Sequence, residues 1–228
     1  MSSTEHAHKR GIRKPLPLVL IGWLVLFVFH HAQAREGCAA PGTHVKQSIV
    51  LIDAGSSLGS GIVIGRNKVL TAAHVVADSG DVTISAGNTV YPGSVIALRK
   101  DSDLALIQTP DLHLPTLPFA TRSRRKNEAV WAMGYPFGRS LIATSGRYKG
   151  LWSRALYTSA SVNFGQSGGG LVACENGHHV LAGVVRAFGA NRINGKLVRR
   201  DDISVATAID DVRRFLAVNR VALKQTGQ

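Results

Sequence analysis

Short apolar runs rich in valine, isoleucine and leucine recur between Gln47 and Ala208, set apart by glycine, proline, asparagine and aspartate. Runs this short, with turn residues at this spacing, make strands, and a series of them builds a barrel or a sandwich. The first set is Gln47–Asp53, Ser60–Gly65, Val69–Leu70, Val82–Ser85, Tyr91–Leu98 and Leu104–Gln108, enough for one small barrel. The second is Ala129–Met133, Leu141–Thr144, Leu156–Ser161, Leu171–Cys174, Val180–Val185 and Val205–Ala208. Between them stand Pro110, Pro115 and Pro118, then Arg122-Ser123-Arg124-Arg125-Lys126. Prolines at that density disfavour continuous sheet, so 110–127 reads as a solvated crossing between two units. At Ile209 the period changes. Ile209, Val212, Phe215 and Leu216 share one helical face, with Asp210 and Asp211 in the first turn, which predicts a closing helix over Ile209–Val218.

Residues 1–34 are set apart from this pattern. Lys9, Arg10, Arg13 and Lys14 precede an apolar run of 14 residues, Leu16 to Phe29, and then the small-residue pattern Ala32-Gln33-Ala34. The run is short of the roughly 20 residues of a membrane span. A secretory signal peptide cut near Ala34 is expected, which sends the chain to the periplasm or outside the cell; an uncut segment would anchor it to the membrane. Cys38 and Cys174 would then meet an oxidising compartment and could pair, which sequence spacing does not decide. The net charge is +13, and residues 1–34 hold four of the basic residues and one acid, Glu5, so +10 belongs to the rest. No basic stripe interleaved with aromatics accompanies that charge, so nucleic acid is not an expected partner. No spaced set of histidine, cysteine and carboxylate predicts a metal or another cofactor.

The chemistry-bearing stretch is Phe164-Gly165-Gln166-Ser167-Gly168-Gly169-Gly170. Glycine allows positive φ and close backbone approach, so a serine in such a turn can expose its hydroxyl beside converging N–H groups. Upstream lie Thr71-Ala72-Ala73-His74-Val75-Val76 and Asp101-Ser102-Asp103-Leu104-Ala105. The order histidine, aspartate, serine separates this chain from the subtilisin and α/β-hydrolase orders.

At these stretches, and at Gly59-Ser60-Gly61 and Gly134-Tyr135-Pro136-Phe137-Gly138, the chain resembles the trypsin-like, chymotrypsin-fold serine peptidases, and among them the bacterial HtrA-type branch. The resemblance implies an all-β fold of two six-stranded antiparallel β-barrels with a short C-terminal helix. Barrel one would cover about 47–109, and barrel two with the helix about 128–220, within a peptidase domain at 35–228. It implies Ser167 as nucleophile, His74 as base and Asp103 as the acid orienting the histidine. Asp101 competes, but the family's aspartate directly precedes Leu-Ala, which selects Asp103. The N–H groups of Gly165 and Ser167 would form the oxyanion hole. Gln166 stands where digestive members carry the aspartate that receives a freed N-terminus, so that activation switch is expected to be absent. A PDZ domain, common in the HtrA branch, is not expected after the helix, and the short arm before Gln47 leaves the oligomeric state open.

The same resemblance walls the substrate pocket with Ser161, Val162 and Asn163 before the serine, and Val184, Val185 and Arg186 on a later strand. No acid stands there, so cleavage after small or medium apolar residues is expected, while Arg186 opens the possibility of acidic side chains. Partners would be protein or peptide substrates. The competing readings are an esterase with the same acyl-transfer machinery, and a catalytically silent or latent binding module of the cell envelope.

Overall fold

The computed structural model describes residues 38–221; the expected signal peptide lies outside them. A single helical turn, α1 (Thr43–Lys46), stands in the short arm before Gln47. β1 (Ile49–Asp53), β2 (Leu58–Gly65), β3 (Lys68–Thr71), β4 (Asp81–Ala86), β5 (Thr89–Arg99) and β6 (Leu104–Gln108) close into one barrel in the order β1-β2-β3-β6-β5-β4. β7 (Ala129–Gly134), β8 (Ile142–Trp152), β9 (Ala155–Thr158), β10 (Gly170–Glu175), β11 (His178–Ile193) and β12 (Lys196–Ala208) close the second in the order β10-β11-β12-β9-β8-β7. Every named pairing is antiparallel. The helix α2 (Ile209–Val218) follows β12. The expected all-β architecture of two six-stranded barrels and a short C-terminal helix is therefore the observed one.

Burial explains which residues form which strand. In β4 Val82 and Ile84 point inward while Asp81 and Thr83 face solvent, the period-2 pattern of a half-buried strand. β2 is buried along nearly its whole length. One apolar cluster fills barrel one around Val50, Ile52, Val69, Ile84 and Ile107. A second joins Ile49, Ile62 and Leu70 of that barrel to Val130, Leu171, Val184 and Phe215. This shared cluster seals the seam between the barrels. α2 buries Ile209, Val212, Phe215 and Leu216, the face that the period predicts.

Four features depart from expectation. β8 runs on to Trp152 and β9 stops at Thr158, so Ser159 to Ser161 leave the sheet. β11 and β12 extend beyond Val185 as a hairpin with exposed outer residues, paired as far as Ile193 with Lys196. The crossing makes one isolated bridge, Phe119 with Leu181, as its prolines allow. Its basic cluster is not uniformly solvated, because Arg124 is buried and ion-paired with Glu175 and Glu128. Cys38 and Cys174 are joined as a disulfide with Cα atoms 5.6 Å apart, tying the arm to β10. Among the described residues no helix is long and apolar enough to cross a membrane.

Candidate active site

β3 ends at Thr71, and Ala72 leads in extended conformation into a 3-10 turn, Ala73–Val75. Ala72, Ala73, Val75 and Val76 are all buried, so the turn is held by its apolar side chains and His74 is left facing outward. Asp103 comes from the turn between β5 and β6, where its N–H donates to the Lys100 carbonyl at 3.0 Å. Thr207 of β12 donates to the Ser102 carbonyl at 2.7 Å and braces that turn from the second barrel. Asp103 has a left-handed backbone (φ 52°), which aspartate tolerates better than most residues.

The Asp103 carboxylate grips His74 at two atoms. Oδ1 accepts the His74 backbone N–H at 3.0 Å, and Nδ1 lies 3.0 and 2.9 Å from Oδ1 and Oδ2. An ionised carboxylate only accepts, so Nδ1 carries the proton and Nε2 is left as the acceptor. Asp101 makes no such contact; it lines a cavity of about 120 Å³ with Arg99, Arg154 and Arg186. Arg186, expected in the substrate pocket, is an ion-pair partner of Asp103, with Nε 3.4 Å from Oδ2. A carboxylate beside the seam draws the guanidinium more strongly than an uncharged pocket or solvent does.

Ser167 sits in a loop tied to both barrels. The Gly168 N–H donates to Val185 and the Val185 N–H to Gly169, each at 2.8 Å, which fixes the loop on β11. Buried Ser60 of β2 holds it from the other barrel: its N–H donates to the Ser167 carbonyl at 2.8 Å, and its hydroxyl to the Gly165 carbonyl at 2.7 Å. A Cβ on Gly168 would stand 2.2 Å from the Ser60 carbonyl oxygen, so this close approach requires glycine. Gln166 turns inward, its Oε1 accepting the Asn163 N–H at 2.8 Å, so the loop carries its own brace.

Two N–H groups beside the serine are unused. Among the described residues neither Gly165 nor Ser167 donates a backbone hydrogen bond. The Phe164 carbonyl accepts the Phe137 N–H at 2.7 Å, and a trans peptide then turns the Gly165 N–H the opposite way. Gly165 has φ 89°, and a Cβ there would lie 2.4 Å from the Tyr135 carbonyl oxygen. Gly165→Ala should therefore rotate this peptide, and with the Gly165 N–H as the oxyanion donor that the resemblance implies, kcat should fall by about 10²–10³-fold, the cost of losing one such donor. Steady-state kinetics on a peptide substrate would show it, with circular dichroism as the control for folding. The Ser167 hydroxyl itself donates to the Arg186 carbonyl at 3.1 Å.

Of the residues expected to wall the pocket, Ser161 is half-buried, whereas Val162 and Val185 belong to the core of barrel two. Sequence reasoning gave no role to Phe164, Phe188 or Arg199. The rings of Phe164 and Phe188 meet edge to face with centroids 5.1 Å apart, and Arg199 donates to the Ser161 hydroxyl at 3.1 Å. Phe164 adjoins Gly165 and was open to suspicion. Arg199 carries no sequence signal, standing on a part of β12 that periodicity does not mark.

Residues 59–184 match the family described as trypsin-like peptidase domain, and the chain belongs to that family. Within it the chain is homologous to HtrA/DegP-type serine proteases. It is 36% identical over 91 residues to serine protease Rv3671c of Mycobacterium tuberculosis, covering 40% of this chain and 23% of that protein. It is 32% identical over 192 residues to mitochondrial serine protease HTRA2 of Bos taurus, covering 73% and 42%. The chain thus spans less than half the length of these relatives. The active form of the Rv3671c protease superposes with a TM-score of 0.66 at 26% identity, over 84% of this chain and 92% of that one.

Proposed function

We propose that this protein is an exported serine endopeptidase that hydrolyses peptide bonds through an acyl-enzyme. The observation that carries the reading is the grip of Asp103 on both nitrogens of His74 that face it, beside a serine loop with two unused N–H donors. Ser167 turns from the Arg186 carbonyl to His74 Nε2, and its oxygen bonds to the substrate carbonyl carbon as Nε2 takes the proton. The carbonyl oxygen becomes an oxyanion between the N–H groups of Gly165 and Ser167. Asp103 stabilises the imidazolium formed. The carbon–nitrogen bond then breaks as Nε2 returns the proton to the leaving amine. Water repeats the sequence on the ester, giving its proton to Nε2, and Ser167 regains that proton as it leaves.

Substrates are proteins or peptides. The basic, apolar segment at 1–34 and the Cys38–Cys174 disulfide support export to an oxidising compartment, the periplasm or the exterior. A relative from Chlamydia pneumoniae bears the description probable periplasmic serine endoprotease DegP-like. The pocket expected to take small or medium apolar side chains, for want of an acid at its base, holds Arg199 against Ser161. A latent enzyme is the second reading, favoured by the resting hydroxyl's bond to Arg186.

Labelling with a fluorophosphonate probe tests the proposal. The purified protein should become covalently labelled, and Ser167→Ala should not. A correctly folded protein that stays unlabelled would move the reading to the latent enzyme or the binding module.

A further inference from the structure

Four side chains near the nucleophile form a closed circuit. Phe164 meets Phe188 edge to face at 84°, and the Arg199 guanidinium carbon stands 5.5 Å from the centre of the Phe188 ring. Nη2 of Arg199 donates to Ser161 Oγ at 3.1 Å, and Ser161 lies on the Phe164 loop, three residues earlier. Both aromatic residues adjoin the reacting groups. Phe164 directly precedes Gly165, and Phe188 is two residues beyond Arg186, whose carbonyl holds the Ser167 hydroxyl. The circuit therefore joins the two segments that flank the serine.

The cation on this circuit is the Arg199 guanidinium. The Arg199 side chain is 29% exposed, and its Nε is buried without a partner among the described residues. Its other partner, Asp201 at 2.6 Å, is 78% exposed, and the same Oδ1 also accepts from the Ser161 hydroxyl at 3.5 Å. An exposed pair of this kind is a weak competitor. A guanidinium has five N–H donors, so it can keep Asp201 and still receive a second carboxylate in a charge-assisted bond. A lysine or arginine side chain would meet like charge here, and a short apolar one would leave the buried Nε–H unsatisfied.

We propose that Arg199 is the specificity-determining residue of this peptidase, selecting an acidic side chain on the acyl side of the scissile bond. The inference rests on the reading of the chain as a serine endopeptidase. Glutamate fits better than aspartate, because its two methylene groups reach past the Phe164 and Phe188 rings while its carboxylate meets Arg199. Arg186, engaged with Asp103, takes no part in the selection.

The test uses matched fluorogenic peptides that differ only in Glu, Gln or Ala before the scissile bond, together with the fluorophosphonate probe. The Glu peptide should exceed the Gln peptide about 10- to 100-fold in kcat/KM, the value of one charge-assisted hydrogen bond. Arg199→Gln should bring that ratio close to one. Arg199→Lys, which keeps the charge and loses the planar fork, should give an intermediate ratio, and Asp201→Asn a higher one than the unaltered protein. A protein that labels with the probe but cleaves the Gln or Ala peptide as fast as the Glu peptide overturns the inference and leaves the endopeptidase reading standing. A Glu preference that survives Arg199→Gln overturns it too. A folded protein that does not label at all removes the endopeptidase reading on which the inference rests.

Discussion

His74→Ala is expected to lower kcat for peptide hydrolysis by about 10⁶-fold, and Asp103→Asn by about 10⁴-fold. The two losses have different causes. Without His74 nothing takes the Ser167 proton as the oxygen attacks, and a neutral hydroxyl is a weak nucleophile. With asparagine at 103 the imidazole remains in place, because the amide oxygen can still accept the His74 backbone N–H now bonded to Oδ1. The amide nitrogen, however, donates toward Nδ1 where Oδ2 now accepts. Nδ1 must then give up its proton, which moves to Nε2, the atom that has to receive one. Asp103→Asn is thus a tautomer lesion with little change in substrate binding, and kcat should fall while KM stays within a few-fold. Steady-state kinetics on the best of the matched peptides separates the parameters. The double variant Ser167→Ala, His74→Ala should be no slower than the slower single one, since the residues act as a unit. A His74→Ala protein that retained a few per cent of activity would show that another group takes the proton, and the proposed triad would be abandoned.

What was legible in the sequence follows burial closely. The run Val180–Val185 predicted the part of β11 that is buried, and the strand in fact continues to Ile193 where its residues turn to solvent. Likewise Val205–Ala208 marks the buried end of β12, and Lys196 to Ile203 carry no alternation because neither face meets a core. Periodicity reads which face is covered, so a solvated hairpin is invisible to it. The helix at Ile209–Val218 was legible for the converse reason, since its apolar stripe is buried by both barrel-two strands beside it. At the site, His74, Asp103 and Ser167 stand in short motifs whose local backbone makes them recognisable. Arg186 was recognised by position, and its direction was left open. Its strand position faces the seam, and the choice between pocket and Asp103 depends on a carboxylate 83 residues earlier in the chain, brought there by the packing of one barrel on the other. Arg199 depends on the same kind of long-range encounter, with Ser161 and Phe188.

Glu175→Ala is expected to destabilise the fold by about 3–5 kcal/mol, the cost of removing one partner from a buried ion pair. Glu175 closes β10, the strand that follows the serine loop, and adjoins Cys174 of the disulfide. Its carboxylate accepts the Thr121 N–H at 3.1 and 3.0 Å, the Thr121 hydroxyl at 2.9 Å and the Arg122 N–H at 3.3 Å, and it pairs with the Arg124 guanidinium. The Arg124 side chain is only 2% exposed, so deletion of Glu175 leaves it with Glu128, 3.2 Å away, and the Arg122 carbonyl. Arg124→Met combined with Glu175→Gln should recover part of the loss, because the buried cation is then gone. Urea titrations would show a lower midpoint at unchanged slope for the single variant. The pair also has a pH signature. Burial pushes the Glu175 carboxyl up, but the hydrogen bonds from Thr121, Arg122 and Arg124 outweigh it and hold the group below its usual range. Glu128 is lowered in the same sense, its burial outweighed by Arg122, the Arg125 N–H and Arg124. A depressed carboxyl contributes stability that is fully present above the unfolded value of about 4.3 and is lost as pH falls through the folded one. The unaltered protein should therefore lose midpoint steeply below about pH 4, and Glu175→Ala should lose less over the same interval because one of the two titrating clamps is already missing. Equal acid dependence in both proteins would mean that the crossing is not held to barrel two through Glu175, and that the disulfide and the apolar seam fix it instead.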